Sequence, residues 1–443
     1  MLCAGSVRSK NVKNIMLKNL LDACGGAIGF WSIGYALAYG GSGSDFKAFI
    51  GNGSFFLRGM ESGGDLVGWF FQFAFAATAA TIVAGTVAER CKMVAYILYS
   101  LFLTGFVYPV VVYAIWASSG FLTAFNEDPL FGIGMVDFAG SGVVHMTGGY
   151  TAMVAAAILG ARKGRFYDAD GNLLDEPHSF PPHSVALQVL GTFILWFGWY
   201  GFNPGSTLAI ASSGSATVAA LCAVNTTVAA AAGCVTALFT DSLLGRFKTG
   251  ETEYDLTMAM NGCLGGLVGI TAGCSVCTPG MSVIIGIIAG WVYILGSKTL
   301  VMLKIDDAVD AVPVHFFNGM WGVVAVGFFA EPSKLADAYG TSDAAYAGVF
   351  YGGNGALLGA NVCGILFIIG WVSVIMGPFF YALKVFGLFR VDSLEEDVGL
   401  DISHHKGAAY DLSGPKREDV EELMIRRSTH GKASTEVPKT EEA

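Results

Sequence analysis

Charge is what this sequence has least of. Only 14% of its 443 residues are Asp, Glu, Lys or Arg, against 53% hydrophobic, whereas an ordinary soluble domain carries about 25% charged residues. Too few charges remain to cover a water-exposed surface, which sets aside a cytosolic enzyme, a nucleic-acid binder and a disordered chain. The amino terminus lacks a signal-peptide layout, because Met1-Leu2-Cys3-Ala4-Gly5 precedes the basic residues instead of following them. HExxH and GxSxG motifs are missing, as are clustered His ligands beyond one possible pair. The chain therefore reads as no enzyme, with no cofactor and no metal. Of nine Cys, only Cys274 and Cys277 lie close together, and no second pair completes a zinc site. They read as packing residues or as a disulfide in a short loop. The 60 Gly follow no G-X-Y period; small residues instead suit close helix contacts in a bilayer.

Uncharged length is abundant. A membrane-spanning helix needs roughly 20 mostly apolar residues. Residues 14–40 qualify apart from Lys18 and Asp22, and 66–88, 93–116 and 138–160 carry no charge. Residues 184–240 break at Phe202-Asn203-Pro204-Gly205-Ser206, and 256–297 split at Cys277-Thr278-Pro279-Gly280. Spans near 311–330 and 355–383 bring the expectation to ten helices in an all-α polytopic membrane protein; these lengths exclude barrel strands. Alternate connections hold 13 Lys and Arg, among them Arg8, Arg90, Arg162, Arg165 and Lys248, against Lys47, Arg58 and Lys334 in the others. The richer set is expected on the cytoplasmic side, together with both ends of the chain. Residues 1–385 form the expected transport domain and 386–443 a cytoplasmic tail, of which 414–443 has the composition of a disordered segment. Arg426-Arg427-Ser428-Thr429 reads as a solvated tail or a kinase site.

Two of the seven His, His145 and His315, fall inside apolar spans. Ionisable groups at that depth usually face a cavity or a substrate path; a neutral His bonded to a neighbouring helix is the plainer reading. Their surroundings match: Val144-His145 with Gly148, Val314-His315 with Gly319, and an acid ahead of each, Asp137 and Asp310. The two spans lie five helices apart. An odd offset reverses their direction through the membrane, as in an inverted repeat, and predicts that the two His meet near the midplane. Phe75, Phe202 and Trp116 taken alone read as packing or interfacial aromatics.

The stretch Asp137-Phe138-Ala139-Gly140-Ser141-Gly142-Val143-Val144-His145 strongly resembles the ammonium transporter (Amt/Mep/Rh) family, in particular its plant and algal Amt type. So do MLCAGSVRSKN at Met1–Asn11, Val87-Ala88-Glu89-Arg90, GWYGFNPGS at Gly198–Ser206, Asp306–His315, and Gly399-Leu400-Asp401 followed by Gly407–Tyr410. The resemblance covers residues 1 to about 410. It implies the ammonium-transporter fold with inverted five-helix repeats, a homotrimer with one pore per subunit, and location in a lipid bilayer, expected to be the plasma membrane. Trp116 and Ser206 would recruit ammonium, with methylammonium as its analogue, and Asp137 beneath them would favour the cation. Phe75 and Phe202 would gate the pore, and His145 and His315 would line it. Ser403 stands where Amt-type members carry a phosphorylated Thr. The family has eleven spans, and Met1 aligns with the inner end of the first, so most of that helix is missing from this sequence. Phe316-Phe317 replaces a smaller residue after the second His and is expected to narrow or reshape the pore. An ammonium sensor with little transport is the alternative function.

Overall fold

The computed structural model describes residues 1–41, 49–341 and 343–410. The stretch 414–443 expected to be disordered, Lys47, and the Arg426–Thr429 stretch lie outside the described residues. Among those described the chain is helical throughout, with only isolated β-bridges. Ten helices carry the architecture: α1 Ser9–Tyr39, α2 Gly63–Thr86, α3 Met93–Trp116, α4 Ser141–Leu159, α5 Val185–Thr207, α6 Ser213–Thr249, α7 Leu256–Thr271, α8 Pro279–Met302, α9 Pro313–Phe329 and α10 Ala356–Val385. Eight are long and apolar enough to cross a membrane by length and composition. The other two are α9, which passes only with Pro332–Tyr339, bent from it by 114°, and the shorter α7.

The sequence sets the helix ends. Ser62 and Asp65 form a capping box at the start of α2, satisfying N–H groups that a helix leaves unpaired. Thr278 caps α8 ahead of Pro279 at its first position. The outer faces stay apolar: Phe197 on α5 is 79% exposed and Val374 on α10 is 68% exposed. Residues of this kind, so open in a single chain, belong against lipid or another subunit rather than water. Cys274 and Cys277 are free thiols, both buried, so the disulfide reading falls. Their carbonyls accept the Asn225 amide at 2.8 Å.

One face gathers the arginines. Arg8 and Arg162 flank Glu89, and Arg90 and Arg162 flank Asp306, the Arg162–Asp306 pair at 2.8 Å. Burial alone pushes the Asp306 carboxyl up, but Arg90 and Arg162 hold it well below the usual range. Glu89 is lowered likewise, burial being outweighed by Arg162 and Arg8. Residues 386–410 dock on this same face. The Asp401 carboxylate accepts the backbone N–H groups of Lys13 and Asn14, both at 2.9 Å, and so caps α1 from outside. Lys10 donates to the carbonyls of Glu396 and Asp397. Gly399 holds φ +103, and a Cβ there would lie 2.5 Å from that of Lys10.

Candidate functional site

Helices α4 and α9 are built alike. Each opens as a wide π-helical turn, Ser141–Met146 and Pro313–Phe317, that carries its histidine; such turns recur at functional sites. Each turn is also capped by an aspartate eight residues before the His. Asp137 accepts the N–H groups of Gly140, Gly142 and Val143 at 2.8–3.0 Å. The counterpart is Asp307, which accepts those of Val309 and Val312. The sequence reading paired Asp137 with Asp310, and that pairing is wrong. Three acids precede His315, and the backbone turn decides which one faces the free N–H groups.

The two helices cross at glycine. A Cβ on Gly149 would lie 2.4 Å from the Phe316 nitrogen, and one on Gly319 would lie 2.5 Å from the Ser141 carbonyl and 3.0 Å from the Met146 nitrogen. The contacts are reciprocal: the glycine four residues past each His meets the residue just after the other His. Only glycine permits backbones this close. Gly148, matched to Gly319 in the sequence, is not its counterpart at the crossing, because it packs on α2.

This crossing brings the imidazoles together. His145 Nδ1 lies 3.1 Å from His315 Nδ1, with the rings 5.2 Å apart and 15° from parallel. One Nδ1 must donate and the other accept, so two neutral rings present one Nε2 acceptor and one Nε2–H donor. His145 is buried, and its Nε2 has no protein partner.

Above the pair the aromatics form a continuous column. Phe202 lies 5.3 Å from His145, Phe75 lies 4.2 Å from Phe202, and Trp116 stands edge-on 5.8 Å from Phe75. The Trp116 indole N–H donates to the Asp137 carbonyl at 2.7 Å. Ser206 sits half-buried one turn past Phe202 and donates to that residue's carbonyl at 2.8 Å, not to Trp116. The side chain of Asp137 is enclosed and turned to the backbone N–H groups that it caps. Beside the pair, a cavity of about 530 Å³ is lined by His145, His315, Trp199, Phe202, Asn261 and Asp310 among others, and it reaches the exposed Ile194 and Leu195 on α5. Phe316 and Phe317 do not narrow it: Phe316 packs on Tyr150 and Phe317 against Gly296.

Trp199 was missed. Its ring stacks on His145 at 5.2 Å and 13°, fixed by an N–H bond to Thr271 Oγ1 at 2.9 Å. It lies three residues before Phe202, one helical turn away, and that spacing was the available signal.

A family model described as the Ammonium Transporter Family matches residues 1–410. The chain belongs to that family. It is 44% identical to ammonium transporter 1 member 1 of Oryza sativa over 421 residues, 93% of this chain and 81% of that protein. It is 43% identical to ammonium transporter 1 member 1 of Arabidopsis thaliana over 420 residues, again 93% and 81%. Among solved structures it resembles a sensor Amt protein at 33% identity and TM-score 0.76, covering 91% of this chain and 93% of that one. It also resembles Mep2 of Candida albicans at 26% identity and TM-score 0.75, covering 94% and 89%. This member of the ammonium transporter family is thus an all-helical integral membrane protein related to plant ammonium transporters.

Proposed function

We propose that this chain transports ammonium across the plasma membrane by recruiting the cation at Trp116, removing its proton and passing ammonia along the His145–His315 pair. The observation that carries the reading is the column Trp116–Phe75–Phe202–His145–His315, which ends in two imidazoles in hydrogen-bond contact. An aromatic face attracts a desolvated ammonium ion by about 2 kcal/mol, and Ser206 keeps lone pairs for its N–H groups. Phe75 and Phe202 lie too close for a molecule to pass between them, so they part as it moves through. Carrying the ion across the bilayer centre costs several to more than 10 kcal/mol. Losing a proton at a pH about two units below the pKa costs only about 3 kcal/mol. Ammonia is therefore the species in the narrow section, held by one Nε2 acceptor and one Nε2–H donor.

The proton follows separately through the His pair, which makes transport electrogenic and adds about 2.3 kcal/mol per charge per 100 mV. Ammonium-evoked current in oocytes is the expected result; uptake without current rejects this step. The face carrying Arg8, Arg90 and Arg162 is cytoplasmic, the tail docks on it, and three copies assemble with one pore each. A phosphate on Ser403, two residues from Asp401, repels that carboxylate and frees the tail. Ser403→Asp is expected to lower uptake about threefold, and normal uptake rejects the switch.

Growth rescue of yeast deficient in ammonium uptake, with His145→Ala beside the unaltered chain, tests the main reading. Rescue by the unaltered chain and none by the variant is expected. The sensor alternative draws on the likeness to a sensor Amt protein; it predicts ammonium binding without radiolabelled methylammonium uptake.

A further inference from the structure

The chain carries two Asn-x-Ser/Thr sequences, Asn52-Gly53-Ser54 and Asn225-Thr226-Thr227, and the transport reading uses neither. Such a sequence is the acceptor for an N-linked oligosaccharide in a protein that passes through a eukaryotic secretory route, provided that its middle residue is not Pro and that it lies at an accessible surface. The fold decides between the two.

Asn225 lies inside α6 and is fully buried. Its Nδ2 donates to the carbonyls of Cys274 and Cys277, and the Thr227 hydroxyl donates to the Ala223 carbonyl at 2.8 Å. The two groups that the reaction needs, the amide nitrogen and the hydroxyl two residues on, are therefore both engaged at membrane depth. Asn52 is the opposite case. It lies in the connection between α1 and α2 and is exposed. Main-chain bonds hold its position: Gly51 N–H donates to the Leu37 carbonyl at 2.8 Å, and Asn52 N–H to the Gly40 carbonyl at 2.7 Å. Neither the Asn52 amide nor the Ser54 hydroxyl makes a side-chain hydrogen bond among the described residues. These main-chain bonds set Asn52 at the end of α1 remote from Lys13 and Asn14, where the tail docks. α1 has 31 residues, about 45 Å at 1.5 Å per residue, longer than the hydrocarbon layer of roughly 30 Å. Asn52 and the arginine-bearing face thus lie on opposite sides of the bilayer.

We infer that Asn52 carries an N-linked oligosaccharide on the outer surface and that Asn225 carries none. This rests on the orientation proposed above, with the arginine-bearing face in the cytoplasm. The donor is an oligosaccharide joined to a lipid pyrophosphate. Asn52 Nδ2 attacks the anomeric carbon: a C–N bond forms, and the C–O bond to the pyrophosphate breaks. The lipid pyrophosphate leaves with that electron pair, and one amide proton passes to a base of the transferring enzyme. A sugar chain is too polar to recross the hydrocarbon layer, so it fixes this end of α1 outside.

Gel mobility of the full chain made in yeast, before and after treatment with an N-glycosidase, is the test. The unaltered chain is expected to lose one discrete step of apparent mass on treatment. Asn52→Gln and Ser54→Ala are expected to run at the treated position from the start. Ser54→Thr, which preserves the acceptor sequence, is expected to keep the step. No step in the unaltered chain overturns the site, and so does a step that survives in Asn52→Gln. Asn52→Cys separates two ways of failing. Its labelling by a membrane-impermeant maleimide is measured above that of the unaltered chain, on intact and on permeabilised cells. Labelling of intact cells, with no glycan on the unaltered chain, rejects only the modification. Labelling that requires permeabilised cells overturns the proposed orientation and the site with it.

Discussion

The His145 and His315 halves share a plan and differ in surroundings. Each has an aspartate cap, a π-helical turn and a histidine eight residues from the cap. Around His145 the neighbours are rings: Phe202 and Trp199 stack on it, and its Nε2 is sealed from protein partners. Around His315 the space opens onto Asn261 and Asp310. Both histidines line one cavity, but His145 stacks on Trp199 and Phe202 while His315, among the described residues, stacks on His145 alone. Symmetry accounts for where the imidazoles sit, and the unsymmetrical packing gives each different neighbours.

The largest expected effect separates the two histidines. His145→Ala, which removes the ring between two stacked aromatics, should cut saturable methylammonium uptake by tenfold or more. His315→Ala, which removes a ring stacked on His145 alone among the described residues, should cost less. Equal losses would mean that the aromatic enclosure adds nothing. The caps come next. Hydrogen bonds to a charged group are worth about 1.5–3 kcal/mol each. Asp137→Ala releases three N–H groups and Asp307→Ala two, so the first should lower the apparent Tm in detergent further. The reverse order would break the correspondence between the caps.

Gly149→Ala and Gly319→Ala should destabilise by similar amounts, about 1–3 kcal/mol for overpacking, because each new methyl meets backbone. Tolerance of one alone in the same melting assay would show that the crossing is not reciprocal. The smallest effect concerns pH on the arginine-bearing face. Asp306 and Glu89 are held below their ordinary pKa values. Their contribution is therefore present above the unfolded values of about 4 and is lost as pH falls toward the folded ones. The Tm in detergent should stay level from pH 7 to about 5 and drop below about 4, and Asp306→Asn should flatten that drop. A decline beginning near pH 6.5 would assign the sensitivity to histidines instead.

Hydrophobic runs showed the helical membrane fold directly, because lipid demands long uncharged segments and little else imitates them. The meeting of His145 and His315 followed from helix parity, a property of order along the chain. What stayed hidden depended on backbone geometry within a single turn. Asp306, Asp307 and Asp310 look interchangeable one letter at a time, yet the first binds arginine, the second caps a helix and the third faces a cavity. Gly148 and Gly149 differ by about 100° around a helix, enough to send one to α2 and the other to the crossing. Phe316 and Phe317 looked like obstructions because bulk is visible in sequence and direction is not. Residues 1–6 and 386–410 meet the same difficulty: their partners lie hundreds of positions away, as when Asp401 caps α1.

Two main chains in contact at Gly149 and Gly319 leave no slack between them. The waist of this molecule therefore cannot constrict by drawing these helices closer. On the transport reading proposed above, narrowing then falls to the aromatic rings on one side and the docked tail on the other. A conduit built this way would be shut by a stopper rather than by an iris.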